Sequence, residues 1–203
     1  MTARGALTAL EVTPRGRSAE SARLDDYLYA GARPDRGIWT DADGQLYAVR
    51  SHVRRGPDGV LRRTRGRSVR DGDGWAPLDR QRFELHPERL VEHTAAGPLV
   101  LPAALKLGVP VQPAPPDPRT VKLAFVGAAE LALGPALEER DALLLRLSDP
   151  DGTDWEQWFV RGVGEVALGR AGQAPDRWLI GWMSDSDALF AASAGPGREV
   201  DVR

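Results

Sequence analysis

Three short constellations in this chain hold residue types that can do chemistry. The first is "WFVRGVGEVALG", Trp158 to Gly169, where Gly162-Val163-Gly164-Glu165-Val166-Ala167 satisfies the GxGxxA form of the dinucleotide fingerprint. That fingerprint works only between a strand and a helix, because the helix N-terminus holds the pyrophosphate. Here Arg161 precedes the motif, only Glu165 to Leu168 separate it from Gly169, and Gly172 and Pro175 follow. A helix long enough to grip a pyrophosphate has no room there. The pattern reads as a tight, glycine-permitted reversal between "DWEQWFVR" and "EVALG", and no cofactor is expected. The second constellation is His86, Glu88, Glu92 and His93, which offers metal-ligand types without HExxH or a comparable spacing. It reads as a solvated polar face, with no metal. The third, Asp149, Asp151 and Asp154 in "SDPDGTD", lacks the length and terminal glutamate of a calcium loop and reads as a polar hairpin turn.

Other catalytic classes find little support. His52, His86 and His93 are the only histidines, no serine sits in a GxSxG elbow, and no GxxxxGK[ST] occurs. Cysteine is absent, so thiolate nucleophiles, thiolate metal sites and disulfides are excluded. The expectation is a protein that is not an enzyme.

The loudest feature is electrostatic. Arg50, Arg54, Arg55, Arg62, Arg63, Arg65, Arg67 and Arg70 crowd one stretch in which Asp58 is the sole acid. Lys106 and Lys122 are the only lysines among 27 basic residues, a bias that suits GC-rich coding, and the net charge is only −2. If two strands pair around "GPDG", Arg63, Arg65 and Arg67 share one face and Arg62 takes the other. Like charges across a ladder are unfavourable, so acids such as Glu84, Glu88 and Glu92, solvent, or an anionic ligand must offset them. Arginine forks suit phosphate, so Arg54, Arg55, Arg62, Arg63, Arg65 and Arg67 form a candidate polyanion or nucleic-acid surface.

The elements that position these groups are mostly strands. With 203 residues, of which 42 % are hydrophobic, the chain can bury the core of one β-rich domain spanning 1–203. Asp43-Gly44, Asp58-Gly59, Asp71-Gly72 and Asp73-Gly74 punctuate extended segments, as hairpins do, which predicts an antiparallel meander. "SAESARLDDYLYAG", with Ser18 as cap, predicts a short helix, as do "HPERLVEHTAAG" and the late "SDSDALFAASAGPG". The proline-rich segment 108–119 predicts a crossover loop between two halves of one sheet system. In "DALLLRLSDPDGTDWEQWFV", Leu143, Leu145 and Leu147 share a face, and Trp155, Gln157 and Phe159 alternate with Glu156, Trp158 and Val160. Trp178 and Trp182, four apart on a predicted strand, share a face as well. No run approaches the ~18 apolar residues of a membrane-spanning helix.

"LLLRLSDPDGTDWEQWFVRGVGEVAL" and "LVLPAALKLGVPV" together resemble a pattern near the end of many bacterial cell-envelope β-domains and lipoproteins of unassigned function. The resemblance covers mainly residues 98–170, and such domains are similar in style to the LolA/LolB lipoprotein carriers, whose curved sheet wraps an apolar cavity. It supplies no catalytic residues. It implies an exported envelope location, although "MTARGALTALEV" lacks the apolar stretch of a signal peptide, which leaves either a leader removed from this chain or a cytoplasmic site.

The combined expectation is a mainly β, antiparallel curved sheet or half-barrel with a few short helices. Its expected role is non-catalytic: binding an apolar small molecule, a lipid or a protein partner through Trp155, Trp158, Phe159, Trp178 and Trp182. The alternative is nucleic-acid binding through the arginine hairpin 50–70.

Overall fold

The computed structural model describes residues 11–28, 35–95, 97–115, 117–133 and 136–183. The Asp-Gly turns set its frame. Gly44, Gly59 and Gly72 have φ of 79°, 77° and 54°, a region that glycine enters without the steric cost other residues bear. Each turn sends the chain back beside itself.

The elements are β1 (Glu11–Pro14), β2 (Ser21–Arg23), α1 (Asp25–Leu28), β3 (Asp35–Asp41), β4 (Leu46–Arg55), β5 (Leu61–Asp71), β6 (Gly74–Leu85), β7 (Arg89–Thr94) and β8 (Gly97–Pro102). They continue with β9 (Ala104–Lys106), β10 (Pro110–Val111), β11 (Thr120–Leu133), β12 (Ala136–Ser148), β13 (Asp154–Val160), β14 (Gly164–Arg170) and β15 (Arg177–Met183). One curved antiparallel sheet runs β1-β11-β12-β13-β14-β15-β3-β4-β5-β6-β7-β8, and β2 pairs separately with β9. The described residues are mainly β, with almost no helix among them, and their sheet does not close into a barrel. The described residues of segment 108–119 reach both β11 and β8. β10 pairs with β11, and Ala114 exchanges both backbone hydrogen bonds with Val100 of β8, at 2.8 and 3.0 Å.

Two of the helical expectations are corrected. Among the described residues of "SAESARLDDYLYAG" only Asp25–Leu28 is helical, while Ser21–Arg23 is a strand paired with β9. The Ser18 hydroxyl accepts the Val126 amide at 2.9 Å instead of capping a helix, and the Leu24 amide donates to the Ala103 carbonyl. Tertiary backbone pairing outweighs a weak local propensity. Likewise "HPERLVEHTAAG" contributes strand β7, not a helix. Leu90 and Val91 are consecutive and both buried, which a strand with cover on both faces permits. The segment "SDSDALFAASAGPG" lies outside the described residues.

Strand alternation sorts the side chains. Leu143 and Leu145 of β12 join Val53, Leu85, Leu90, Leu105, Val121, Leu123 and Phe159 in one core cluster, with Leu147 packed against it. Ala22, Leu24 and Tyr27 join the same cluster, so the β2–α1–β9 unit seals part of the concave side. Leu144, Val160, Ala167 and Trp178 belong to a second cluster, against which Trp158 packs. The Phe125 and Trp158 rings stand 6.0 Å apart.

The β4–β5 turn carries its own electrostatic clasp. The Arg62 guanidinium beside Asp58 holds that carboxyl down to about 2, helped by the Val60 amide. A depressed carboxyl contributes stability above its unfolded value of about 4 and loses it as pH falls toward the folded value. Asp58→Asn is therefore expected to flatten the acid limb of the stability profile between about pH 4 and pH 2, with little effect on its shape at neutral pH. Urea midpoints across that range measure it.

Candidate functional site

Strand β5 contributes a row of arginines whose direction follows from register. Arg63, Arg65 and Arg67 stand opposite Val53, Ser51 and Val49 of β4, and opposite Phe83, Gln81 and Asp79 of β6. Since side chains directly opposite one another share a face, all three arginines lie on the concave side with Phe83. Arg62 lies on the convex side, directly opposite Arg54.

Acids and backbone oxygens meet these charges. On the convex side Arg62 pairs with Asp58 and, at 3.4 Å, with Glu84. On the concave side Arg65 forms an ion pair with Glu165, and Arg67 with Asp79. Arg63 donates to the Ser51 hydroxyl at 2.8 Å and to the Leu28 carbonyl. Arg63, Arg65 and Arg67 are thus turned inward and bonded within the fold, Arg62 is paired on the convex side, and Arg54 and Arg55 are exposed. The six residues do not share one surface.

Between the two halves of the curved sheet lies a cavity of about 160 Å³. Its apolar wall comes from Phe83, Leu90, Leu101, Val121, Leu145 and Phe159, with Leu28, Leu99, Pro113 and Leu147 completing it. Its polar groups are Arg63, Arg65, Gln81, Glu92, Arg119, Gln157 and Glu165. A second void of about 20 Å³ beside Trp39 and Leu179 shares Arg63, Arg65 and Glu165. The Arg65–Glu165 pair therefore stands as a partition between the two spaces. Its side chains are only 14 % and 10 % exposed, a setting in which charge is tolerated when paired and costly when not.

Two further carboxyls shape the field. Arg119 grips Asp117 through two hydrogen bonds of 2.8 Å and holds that carboxyl down to about 2. Burial pushes the Glu92 carboxyl above the usual range, against the pull of Arg119 and Arg65. Glu92 stands opposite Phe83 of β6 and Leu99 of β8, which fixes it on the cavity side.

Of the five aromatic residues singled out as apolar ligand contacts, Phe159 lines this cavity. Trp158 and Trp178 face the second cluster. The Trp155 indole donates to Asp149 at 3.0 Å and sits 5.8 Å from the Arg170 guanidinium carbon. The register of β15 shifts between Leu179 and Gly181, so two-residue alternation does not run unbroken from 178 to 182; the Trp182 side chain lies outside what is described. Reasoning from sequence weighted tryptophan and missed Phe83, Glu92 and Arg119. The signal for Phe83 was alternation in "RQRFEL", where it follows Gln81 by two.

The remaining chemical candidates separate. Gly162 and Gly164, with φ of 78° and 95°, form the reversal between β13 and β14, and the segment they lead into is strand β14 (Gly164–Arg170), not a helix. His86 and His93 approach Glu84, at 3.3 and 3.8 Å, while Glu92 turns inward. No group of three or more metal-ligating side chains occurs among the described residues. None of the three histidines lines the cavity. Among the described residues, no helix is long and apolar enough to cross a membrane. No family model, no curated protein and no solved structure matches this chain.

The partition pair is testable. Glu165→Leu leaves Arg65 buried without its carboxylate and is expected to cost on the order of 3 kcal/mol of unfolding free energy. Adding Arg65→Met should restore most of that loss, because the uncompensated charge is gone. Urea unfolding of both variants and of the unaltered chain measures the difference.

Proposed function

We propose that this protein is a non-catalytic binding protein whose curved sheet holds a small, largely apolar molecule in the cavity between its halves. One observation carries the reading: a space of about 160 Å³ whose apolar wall is built by strands from both halves of the sheet, with polar side chains, most of them bonded to one another or to the fold, set into it. Binding sites for small molecules have this composition, an apolar wall with sparse polar anchors. The size is that of a phenyl ring, since an apolar cavity of ~150 Å³ accepts benzene. The ligand's buried portion is accordingly a ring or a short acyl segment, with any larger remainder outside.

The resemblance of residues 98–170 to cell-envelope β-domains supports an exported, envelope-located carrier or sensor, for which an apolar ligand or lipid segment is the natural cargo. Nucleic-acid binding through hairpin 50–70 receives less support, because Arg63, Arg65 and Arg67 are bonded on the concave side.

Burying ~150 Å² of a phenyl-sized probe at about 25 cal/mol per Å² contributes about 4 kcal/mol, a dissociation constant on the order of 1 mM. Toluene is therefore expected to shift methyl resonances of Leu90, Leu101, Val121 and Leu145 saturably in the low-millimolar range. Leu147→Trp, which fills the cavity from a half-buried position, should abolish those shifts while the far-ultraviolet spectrum is retained. Absence of saturable shifts in the unaltered chain would overturn the reading.

A further inference from the structure

The polar groups of the cavity are unequally matched. Arg65 is bonded to Glu165, Arg119 to Asp117, and Arg63 to Ser51 and the Leu28 carbonyl. Glu92 lines the same cavity and makes no hydrogen bond or ion pair among the described residues. A half-buried carboxyl set in an apolar wall, with no donor supplied by the protein, is an unusual expense for a fold to carry. It becomes useful when a ligand brings the donor.

We infer that the cavity selects small apolar amines, seating an ammonium head against Glu92 and a hydrocarbon body against Phe83, Leu90 and Phe159. This rests on the cavity being a ligand site, as proposed above, and adds the chemistry of the head group. The charged groups facing Glu92 are Arg65 from β5, Glu165 from β14, and Asp117 and Arg119 from the segment before β11. They form two ion pairs, in which the arginines draw Glu92 toward the carboxylate and the acids oppose them more weakly. Burial still dominates and raises the carboxyl, and an arriving cation reverses that by favouring the carboxylate. Phe83, the register partner of Glu92, and Phe159 line the same cavity, which puts aromatic rings beside the cation. A ligand carboxylate would instead meet Glu92 and Glu165, and would have to compete with the bonds that Arg63, Arg65 and Arg119 already make, the buried Arg65 Nε being without a partner.

The test titrates benzylamine, benzyl alcohol, toluene and benzoate into the full chain near neutral pH, following the cavity methyl resonances. Benzylamine is expected to bind about tenfold more tightly than toluene, the lower end for a hydrogen bond to a charged group, with benzoate weakest. Glu92→Gln, close in shape but without charge, should bring benzylamine down to the toluene level and leave toluene within about twofold. Toluene binding with no preference for benzylamine overturns this inference and leaves the cavity reading standing. So does benzoate binding most tightly, or a preference for amine that survives Glu92→Gln. Failure of all four probes overturns both readings. If Glu92→Gln does not fold, the ranking of the four probes on the unaltered chain decides.

Discussion

Arg65 on β5 and Glu165 on β14 are separated in the sheet by β4, β3 and β15, so their ion pair reaches across the concave face instead of running along a ladder. A flat sheet would hold those strands roughly four strand spacings apart, close to 20 Å, far beyond the reach of two side chains. The pair therefore exists only because the sheet is bent, and it resists flattening in turn. Paired, the two charges supply polarity that sets the two concave spaces apart. Unpaired, either one would sit where solvent is scarce.

That geometry depends on the register of β4, β5 and β6. Side-chain direction in a strand has a period of two, so a slip by one residue would send Arg63, Arg65 and Arg67 outward and bring Arg62, Thr64 and Gly66 inward. The Asp-Gly turn at 58–59 prevents this by fixing which residues face each other. The Asp58 carboxylate bonds the Val60 amide at 3.1 Å and the Arg62 guanidinium, so one acid both shapes the turn and neutralises the arginine that lies opposite Arg54. Arginine crowding in this hairpin is thereby resolved locally on one face and by long-range partners on the other.

Turn chemistry and strand alternation made the antiparallel curved sheet readable from the residues, because Asp-Gly and Pro-Asp-Gly act locally. The shared face of Leu143, Leu145 and Leu147 was readable for the same reason. Residues 21–23 and 89–94 were not, since their extended conformation comes from β9, β6 and β8, partners brought by the fold and not by neighbours in sequence. The site was less legible still. Phe159 emerged from its aromatic character, whereas Glu92 looked like part of a surface cluster with His86 and His93. Only the β6–β7–β8 register reveals that Glu92 and His93 face opposite ways. Tryptophan was a poor guide: Trp158 and Trp178 fill the second cluster, where bulk serves packing.

The cavity itself follows from a failure to complete the sheet. Proline lacks the amide hydrogen that a ladder requires, and Pro110, Pro113, Pro115 and Pro118 recur through the segment between β8 and β11. Such a segment can make the two-residue pairing of β10 and the single bridge at Ala114, but it cannot run a continuous ladder to both edges. A regular strand there would join β8 to β11, draw Leu101 and Val121 toward each other and let side chains fill the interior, as they do in small closed barrels. Instead Pro113 forms part of the cavity wall. The same segment brings Arg119, paired with Asp117, to the cavity that Glu92 also lines, so the segment that keeps the sheet open also supplies part of its polar lining.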